Sequence, residues 1–490
     1  MKKIFISTLA VSLMLFSYSC DTDFDQDLTT VPVTSGSADF SRYVALGNSL
    51  TAGYRDGALY IDGQNESYPS IVASQMSLAG GGDFRQPLMP NNSGGFTNLF
   101  NPNTGAFAGK LVLTVADGSL APTPTAPGGA LDNITAAGPY QNLGAPGAKS
   151  FHLGLSGYGN AAGLQAGLAN PYYVRFATST TSSIITDAVA QNPTFFSLWI
   201  GNMDVLAYAT SGGMGTDQKG NMNPATYGPN DITDPGVFSS VITSYVNALT
   251  ANGAKGVIAN IPSVTSIPFF NRVPAMPIAG LNDAQVNQLN TGYAQYNAAL
   301  AQAKSFALIT DAEYQKRLIK FEPGIANGAV IVDKDLTNLT AMQIPSYRQT
   351  TANDYILLTA SAVLTPSAGG GTSVPLADHY VLTEIEAGKV TAATTAYNTS
   401  LSTIAQSKGL AFVNAHSKMT ELSSSSGIRW NGVKYTAEFV TGGTFSLDGI
   451  HLTGKGAGLI ANEFIKAINA KYGSNLPLAE INKYSGVTFP

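Results

Sequence analysis

The chain has 490 residues, of which 12% are charged, and its formal net charge is −5. Nucleic-acid binding requires a surface of clustered lysine and arginine side chains, so this composition argues against a nucleic-acid partner. The single cysteine, Cys20, excludes intramolecular disulfides, and the hydrophobic core must therefore hold the fold together. The sequence has no phosphate-binding Gly-x-x-x-x-Gly-Lys loop and no Cys/His cluster for zinc. We therefore expect no metal and no cofactor.

The first 20 residues have the pattern of an export signal. Lys2 and Lys3 precede an uncharged run over 4–16, which is short for a membrane span. The segment ending at Cys20 resembles a bacterial lipoprotein signal, although Ser17 stands where such signals usually carry Leu. The resemblance implies an exported lipoprotein, anchored in the outer membrane through a lipid on Cys20. The alternative is an ordinary signal peptide with a free cysteine.

Residues 21–38 lack hydrophobic periodicity and predict a flexible tether. They are acidic at first and then rich in Thr, Val, Pro and Ser, a composition that favours a solvated, extended segment. Residues 39–490 follow as one large domain.

The stretch over 43–54 predicts a buried strand that runs into a glycine and a small polar turn. Ser49 lies in this turn, at the carboxyl end of the strand. In an open parallel sheet ligands bind at that edge, because the loops converge there and the next helix presents unpaired N–H groups. Ser49 is therefore a candidate nucleophile, and the alternative is a serine that only forms the turn.

The rest of the chain alternates helical and strand patterns, which is typical of a parallel α/β sheet. Apolar spacing predicts helices over 67–76, 237–251, 285–303, 383–407 and 456–472, and strands over 194–201, 254–261 and 409–414. Two stretches, 79–139 and 262–375, are irregular. The first contains one apolar run, 111–115, which predicts a hairpin. The second contains short apolar runs at 329–332 and 355–358.

The segment 446–453 supplies the two groups that a nucleophilic serine needs. A neutral imidazole takes the serine proton, and a carboxylate fixes the imidazole tautomer and stabilises the imidazolium. Of the four histidines only His451 has an aspartate, Asp448, three residues before it. His416 lacks such a partner and is a lesser candidate. A histidine base predicts activity that rises with pH as His451 loses its proton.

Four short segments occur in the order found in the SGNH (GDSL-like) hydrolases, namely Gly-Asn-Ser-Leu-Thr at 47–51, a Gly-containing loop at 141–148, Gly-Asn-Met-Asp at 201–204 and Asp-x-x-His at 448–451. The chain resembles this family over nearly its whole mature length. The resemblance implies a three-layer α/β/α fold with a parallel central sheet of the flavodoxin-like type. It also implies a serine esterase or lipase-like enzyme that cleaves small-molecule or glycan-borne carboxylic esters through an acyl-enzyme.

The resemblance assigns roles by matching position. Ser49 is the nucleophile, and Asp448 and His451 complete the catalytic triad. The N–H groups of Ser49 and Gly144 are expected to bind the oxyanion, since a glycine lets the backbone approach the substrate closely.

The third segment departs from the family pattern, which reads Gly-x-Asn-Asp and uses the Asn amide as an oxyanion donor. Met203 occupies that position, and Asn202 precedes it by one residue. Loss of one oxyanion donor lowers turnover about 100-fold to 1,000-fold. Either Asn202 takes the role, or two backbone donors suffice, or catalysis is weak. Asp204 is expected to cap the next helix or brace the loop.

Minimal members of the family are much shorter than this chain. The insertions near 79–139 and 262–375 are expected to set substrate specificity as a lid or cleft wall, and the alternative is that they only cover sheet edges. A second function also stays open, a catalytically weak or inactive surface lipoprotein that binds glycan or lipid. Met203 motivates that alternative, whereas Ser49, Asp448 and His451 favour the enzyme.

Overall fold

The computed structural model describes residues 32–99, 108–116 and 118–490. The predicted signal peptide and its Cys20 lie outside these residues. The strands in the described part are β1 Tyr43–Gly47, β2 Leu111–Ala116, β3 Ser119–Pro124, β4 Asn142–Gly144, β5 Phe195–Trp199, β6 Lys255–Ala259, β7 Val330–Val332, β8 Tyr347–Gln349, β9 Tyr355–Ile356, β10 Val381–Leu382, β11 Ala411–Val413, β12 Ile428–Trp430 and β13 Val433–Tyr435. The helices there are α1 Ser49–Ala52, α2 Ile61–Asn65, α3 Tyr68–Met76, α4 Pro171–Val174, α5 Ile184–Ala190, α6 Met203–Thr210, α7 Pro235–Thr250, α8 Pro268–Asn271, α9 Asp283–Ser305, α10 Asp311–Arg317, α11 Glu384–Ser407, α12 Ala415–Ser423 and α13 Gly454–Tyr472.

Five strands form a parallel central sheet in the order β4–β1–β5–β6–β11. Numbered along the chain this is the order 2-1-3-4-5, a doubly wound arrangement in which ligands bind where the strand order reverses. That switch point lies between β1 and β5. The predicted α/β class with a parallel sheet is confirmed, and the finer SGNH assignment stays a prediction.

Hydrophobic clusters cover both faces of the sheet. Along β1, Val44 and Leu46 point to one face and pack with α5, α7 and α11. Tyr43 and Ala45 point to the other face and pack with α3 and α13. Because successive strand residues alternate between faces, a strand covered on both sides is apolar throughout. The sheet therefore lies between two helical layers.

The helix ends follow from local sequence signals. The side chain of Thr383 accepts the N–H of Glu386 and begins α11, and the side chain of Thr453 caps α13 by accepting the N–H of Gly456. Gly473 ends α13 in the left-handed conformation with φ of 68°, which costs glycine little. These capping residues explain why the predicted helices over 383–407 and 456–472 are confirmed within two residues.

Both irregular stretches contain structure of their own. The run over 111–115 forms the predicted hairpin, with β2 paired antiparallel to β3. The stretch over 262–375 contains the predicted long helix, here α9, and the two-stranded sheet of β7 and β8, whereas β9 pairs with β10 just beyond the stretch. These elements pack into small separate clusters. Within this stretch the Phe269 N–H donates to the Gly449 carbonyl over 3.0 Å. The second insertion therefore contacts the segment between Asp448 and His451.

The last residues of the predicted tether lie against the end of α13. The Thr34 N–H donates to Asn475 Oδ1 over 2.6 Å, and the Ser37 N–H donates to the Tyr472 carbonyl over 2.8 Å. No helix within the described ranges is long and apolar enough to cross a membrane.

Candidate active site

Ser49 follows β1 at the switch point of the sheet and is the first residue of α1. Its side chain is buried, with a residue exposure of 6%. A Cβ atom at Gly47 would lie 2.1 Å from Thr51 Oγ1 and 2.4 Å from the Trp199 carbonyl oxygen. Only glycine therefore allows the chain to turn from β1 into α1 so close to β5, and this turn places Ser49 at the carboxyl edge.

Asp448 and His451 form a hydrogen-bonded pair, with Asp448 Oδ2 2.8 Å from His451 Nδ1. The other carboxylate oxygen accepts the backbone N–H groups of Ile450 and His451 over 2.9 and 2.8 Å. The carboxylate thus closes a tight turn, which explains the three-residue spacing. With Nδ1 facing the carboxylate, Nε2 is free to accept a proton.

The charge state of Asp448 suits this role. Burial raises its pKa, but the neighbouring His451 imidazolium and the N–H groups of His451 and Ile450 lower it more, and the net pKa lies well below the usual aspartate range. Asp448 is therefore ionised wherever a histidine base is neutral. A permanent carboxylate holds one imidazole tautomer and stabilises the imidazolium that forms when the base takes a proton.

Ser49 and His451 line the same cleft, together with Asn202 and Met203. Tyr54 connects the segments that carry Ser49 and His451, because its N–H donates to the Ser49 carbonyl over 3.0 Å and its ring centroid lies 4.8 Å from that of His451. The structure thus brings the first and last sequence segments together at one edge of the sheet.

Asp56 holds the segment that carries Asp448 in place. No sequence pattern singles out this residue. Its Oδ1 accepts the Leu447 N–H, and its own N–H donates to Ser446 Oγ, both over 3.0 Å. The next N–H, that of Gly57, donates to Asp448 Oδ2 over 3.0 Å. Asp56 has a φ of 53°, a conformation that aspartate tolerates better than most residues. No sequence spacing reveals this contact, since its partners are distant in the chain.

We expect Asp56→Gly to lower kcat for ester hydrolysis about 100-fold with little change in KM. Glycine keeps the left-handed backbone but removes the acceptor of Leu447, and small displacements of a catalytic segment carry large rate penalties. The measurement is steady-state kinetics with p-nitrophenyl butyrate. Asp56→Asn retains Oδ1 and is the matched control, with an expected loss below about tenfold. Equal losses in both variants, or a change in KM alone, would contradict this positioning role.

Gly144 requires a correction. Its N–H donates to Asn142 Oδ1 over 3.0 Å, and a Cβ atom there would lie 2.4 Å from the Ala52 nitrogen. Gly144 therefore serves close packing of β4 against α1, and its N–H is already engaged by a side chain. We no longer assign it as an oxyanion donor.

Gly147, three residues further on, has the features that Gly144 lacks. It is exposed, its φ is 82°, and its N–H makes no hydrogen bond to any residue that the structure describes. The loop that carries it begins with a hydrogen bond of 3.1 Å from the Ala145 N–H to the Gly47 carbonyl, two residues before Ser49. The sequence could have indicated Gly147, because Gly144 and Gly147 both lie in the Gly-containing segment over 141–148.

Asn202 and Met203 follow β5 and both line the cleft. Asn202 is 7% exposed, and in the described part of the chain its side chain caps no helix and its Oδ1 has no hydrogen-bond partner. Met203 is half-buried. A buried side-chain acceptor without a partner in the described part of the chain is rare. An oxyanion in the cleft could bind only the Nδ2 donor of this amide, because Oδ1 accepts hydrogen bonds.

Asp204 braces the neighbouring loop, as the sequence predicted. It is fully buried and accepts the Ser150 N–H over 2.8 Å and the Ser150 hydroxyl over 2.7 Å. Burial raises the pKa of Asp204, and the hydrogen bonds from Ser150 oppose the shift. Asp204 therefore ties α6 to the loop that carries Gly147.

His416 is exposed on α12 and does not line the cleft. Its backbone N–H donates to Asn260 Oδ1 over 2.9 Å. Within the described ranges no group of three or more His, Cys, Asp or Glu side chains is arranged to hold a metal ion. Of the residues predicted from the sequence, Ser49, His451 and Asn202 line the cleft, and Asp448 is hydrogen-bonded to His451.

In three comparisons with known proteins, no family model, no curated protein and no solved structure matches the chain.

Proposed function

We propose that this protein is a serine carboxylic ester hydrolase of the SGNH (GDSL-like) type. The observation that carries the proposal is that His451, hydrogen-bonded to Asp448, lines the same cleft as Ser49 at the switch point of a parallel sheet. A serine, an imidazole and an ionised carboxylate are the components of nucleophilic acyl transfer. The four ordered sequence segments give independent support.

In the proposed mechanism His451 takes the Ser49 proton as the hydroxyl oxygen attacks the ester carbonyl. Asp448 stabilises the imidazolium, and the tetrahedral oxyanion is held by the N–H groups of Ser49 and Gly147 and by the Asn202 amide. His451 returns the proton to the leaving alcohol, which departs as the acyl-enzyme forms. Water, deprotonated by His451, then attacks the acyl-enzyme, and collapse of the second tetrahedral intermediate releases the acid and restores Ser49.

The experiment that tests this proposal is labelling of the purified protein with a p-nitrophenyl alkylphosphonate. Nucleophilic attack displaces p-nitrophenolate and leaves a phosphonyl group on the serine, which peptide mass spectrometry locates. Labelling is expected at Ser49 and is expected to be lost in His451→Ala. Labelling elsewhere, or labelling unaffected by His451→Ala, would count against the triad and in favour of an inactive binding protein.

We expect Asn202→Ala to lower kcat about 100-fold to 1,000-fold, the usual loss for one oxyanion donor. Met203→Asn is expected to raise kcat less than about threefold, because Asn202 already supplies an amide beside Ser49 and one further hydrogen bond contributes modestly. Met203→Leu, which keeps an apolar side chain, is the control for altered packing. A tenfold or larger gain in Met203→Asn would show instead that the natural enzyme lacks this donor.

A further inference from the structure

The cleft at Ser49 continues into the protein as an apolar cavity. Beyond the reacting groups, its wall is built from buried aliphatic side chains that include Leu206, Ile261, Val264, Ile267, Leu422 and Ile428. These residues come from α6, the loop after β6, α12 and β12. The cavity therefore lies where the carboxyl edge of the sheet meets the first residues of the second insertion.

Polar side chains in the wall are few, and those away from Ser49 are already paired. Lys418 Nζ contacts Glu421 Oε2 over 2.7 Å and Glu463 over 3.5 Å, and Trp199 Nε1 donates to the Asn260 carbonyl over 3.0 Å. Sugar hydroxyls need hydrogen-bond partners, and burying them without such partners is costly. The wall therefore favours a hydrocarbon group over a glycan.

The size of the cavity limits the length of that group. Its free volume is about 100 Å³, whereas a dry cavity of about 150 Å³ accommodates one benzene ring. A volume two thirds of that size takes about four carbons. A chain whose first one or two carbons lie at Ser49 therefore fills the cavity when it has roughly four to six carbons in all. A fatty chain of sixteen carbons exceeds it.

We propose that the cavity binds an unbranched aliphatic chain of about four to six carbons carried by the ester substrate. This inference rests on the proposed function, because Ser49 and His451 define the reacting end. It also gives Met203 a role. The Met203 side chain lines the cavity and would contact the aliphatic chain, whereas an asparagine at this position would place a polar amide against it. The chain belongs either to the acyl or to the alkoxy part of the ester.

Two substrate series distinguish these parts. The first is the p-nitrophenyl esters of straight-chain acids from acetate to palmitate, and the second is straight-chain alkyl acetates from ethyl to hexadecyl. In the series that uses the cavity, kcat/KM is expected to rise about threefold per methylene up to about six carbons and to fall for the longest chains. Chain-length independence in both series, or an optimum at the shortest or the longest chains, would overturn the inference and leave Ser49-dependent hydrolysis intact.

Variants in α12 test the wall directly. Leu422→Ala enlarges the cavity and is expected to move the optimum to longer chains, and Met419→Phe fills it and is expected to move the optimum to shorter ones. Thr420→Ala lies on the exposed side of the same helix and is the matched control, with an unchanged profile. If every profile is the same as that of the parent protein, the wall assignment is wrong.

A binding measurement separates this inference from the proposed function. Calorimetric titration of Ser49→Ala with butyrate, hexanoate, octanoate and palmitate requires no turnover. Tighter binding of hexanoate than of butyrate, with a negative heat-capacity change that Met419→Phe weakens, supports the cavity even if no ester is hydrolysed. Equal or undetectable binding of all four acids, together with flat ester profiles, overturns it.

Discussion

Ser49→Ala is expected to lower kcat for p-nitrophenyl butyrate hydrolysis about 10⁶-fold, the scale seen when the nucleophile of a serine hydrolase is removed. The remaining rate reflects oxyanion binding and substrate orientation alone. Ser49 lies at the carboxyl end of β1, in the cleft shared with His451, so no other described serine shares this position relative to the triad. The measurement is the steady-state rate, with burst kinetics to detect the acyl-enzyme.

The control for this prediction is Ser77→Ala, which changes an exposed serine just after α3 and is expected to retain full activity. Both variants are expected to unfold within a few degrees of the parent protein, because each removes only one hydroxyl group. Hydrolysis by Ser49→Ala at the parent rate would reject the triad and favour a binding protein on a hydrolase scaffold.

Asp448→Asn is expected to lower kcat about 10⁴-fold with a small change in KM. The amide keeps the shape of the side chain, but it donates to His451 Nδ1 and thereby favours the wrong imidazole tautomer, as in serine hydrolases generally. In the parent protein the rate is expected to rise with pH, because a histidine base accepts a proton only in its neutral form. His416→Ala, which changes an exposed histidine outside the cleft, is the control and is expected to leave the rate and its pH profile unchanged.

The same substitution has an expected effect on acid stability. The pKa of Asp448 in the folded protein lies well below its unfolded value of about 3.9. Ionised Asp448 therefore stabilises the fold above about pH 4, and this contribution is lost as the pH falls towards the folded pKa. The difference in unfolding temperature between the parent protein and Asp448→Asn is expected to have its full value near pH 6 and to become smaller below pH 4. A constant difference across this range would contradict the low pKa.

Much of the fold could be predicted from patterns among residues that lie close together in the sequence. The strands that became β1, β5 and β6 are continuous apolar runs, which is the signature of parallel strands buried on both faces. The helices α7, α11 and α13 carry apolar residues at helical spacing together with capping residues at their ends. Such signals act between residues a few positions apart, so the sequence alone was sufficient to find them.

The Asp448–His451 pair was also predictable from sequence. Its geometry is local, because the Asp448 carboxylate accepts the N–H groups of residues two and three positions later. The proposed oxyanion donors were harder to predict, because two glycines of one loop cannot be distinguished by their sequence context. Gly144 and Gly147 differ in backbone conformation and in what surrounds them, the side chain of Asn142 in one case and open space in the other.

Long-range packing determined the remaining features. Asp56 reaches Leu447 and Ser446 across nearly the whole chain, and the apolar cavity combines side chains from α6, α12 and the loop after β6. No periodicity or motif records such contacts, since they depend on how separate elements are brought together when the hydrophobic layers close on the sheet. Local sequence thus identified the Asp448–His451 pair and the turn that carries Ser49, and tertiary packing determined how these segments are held and which apolar side chains line the cleft beside them.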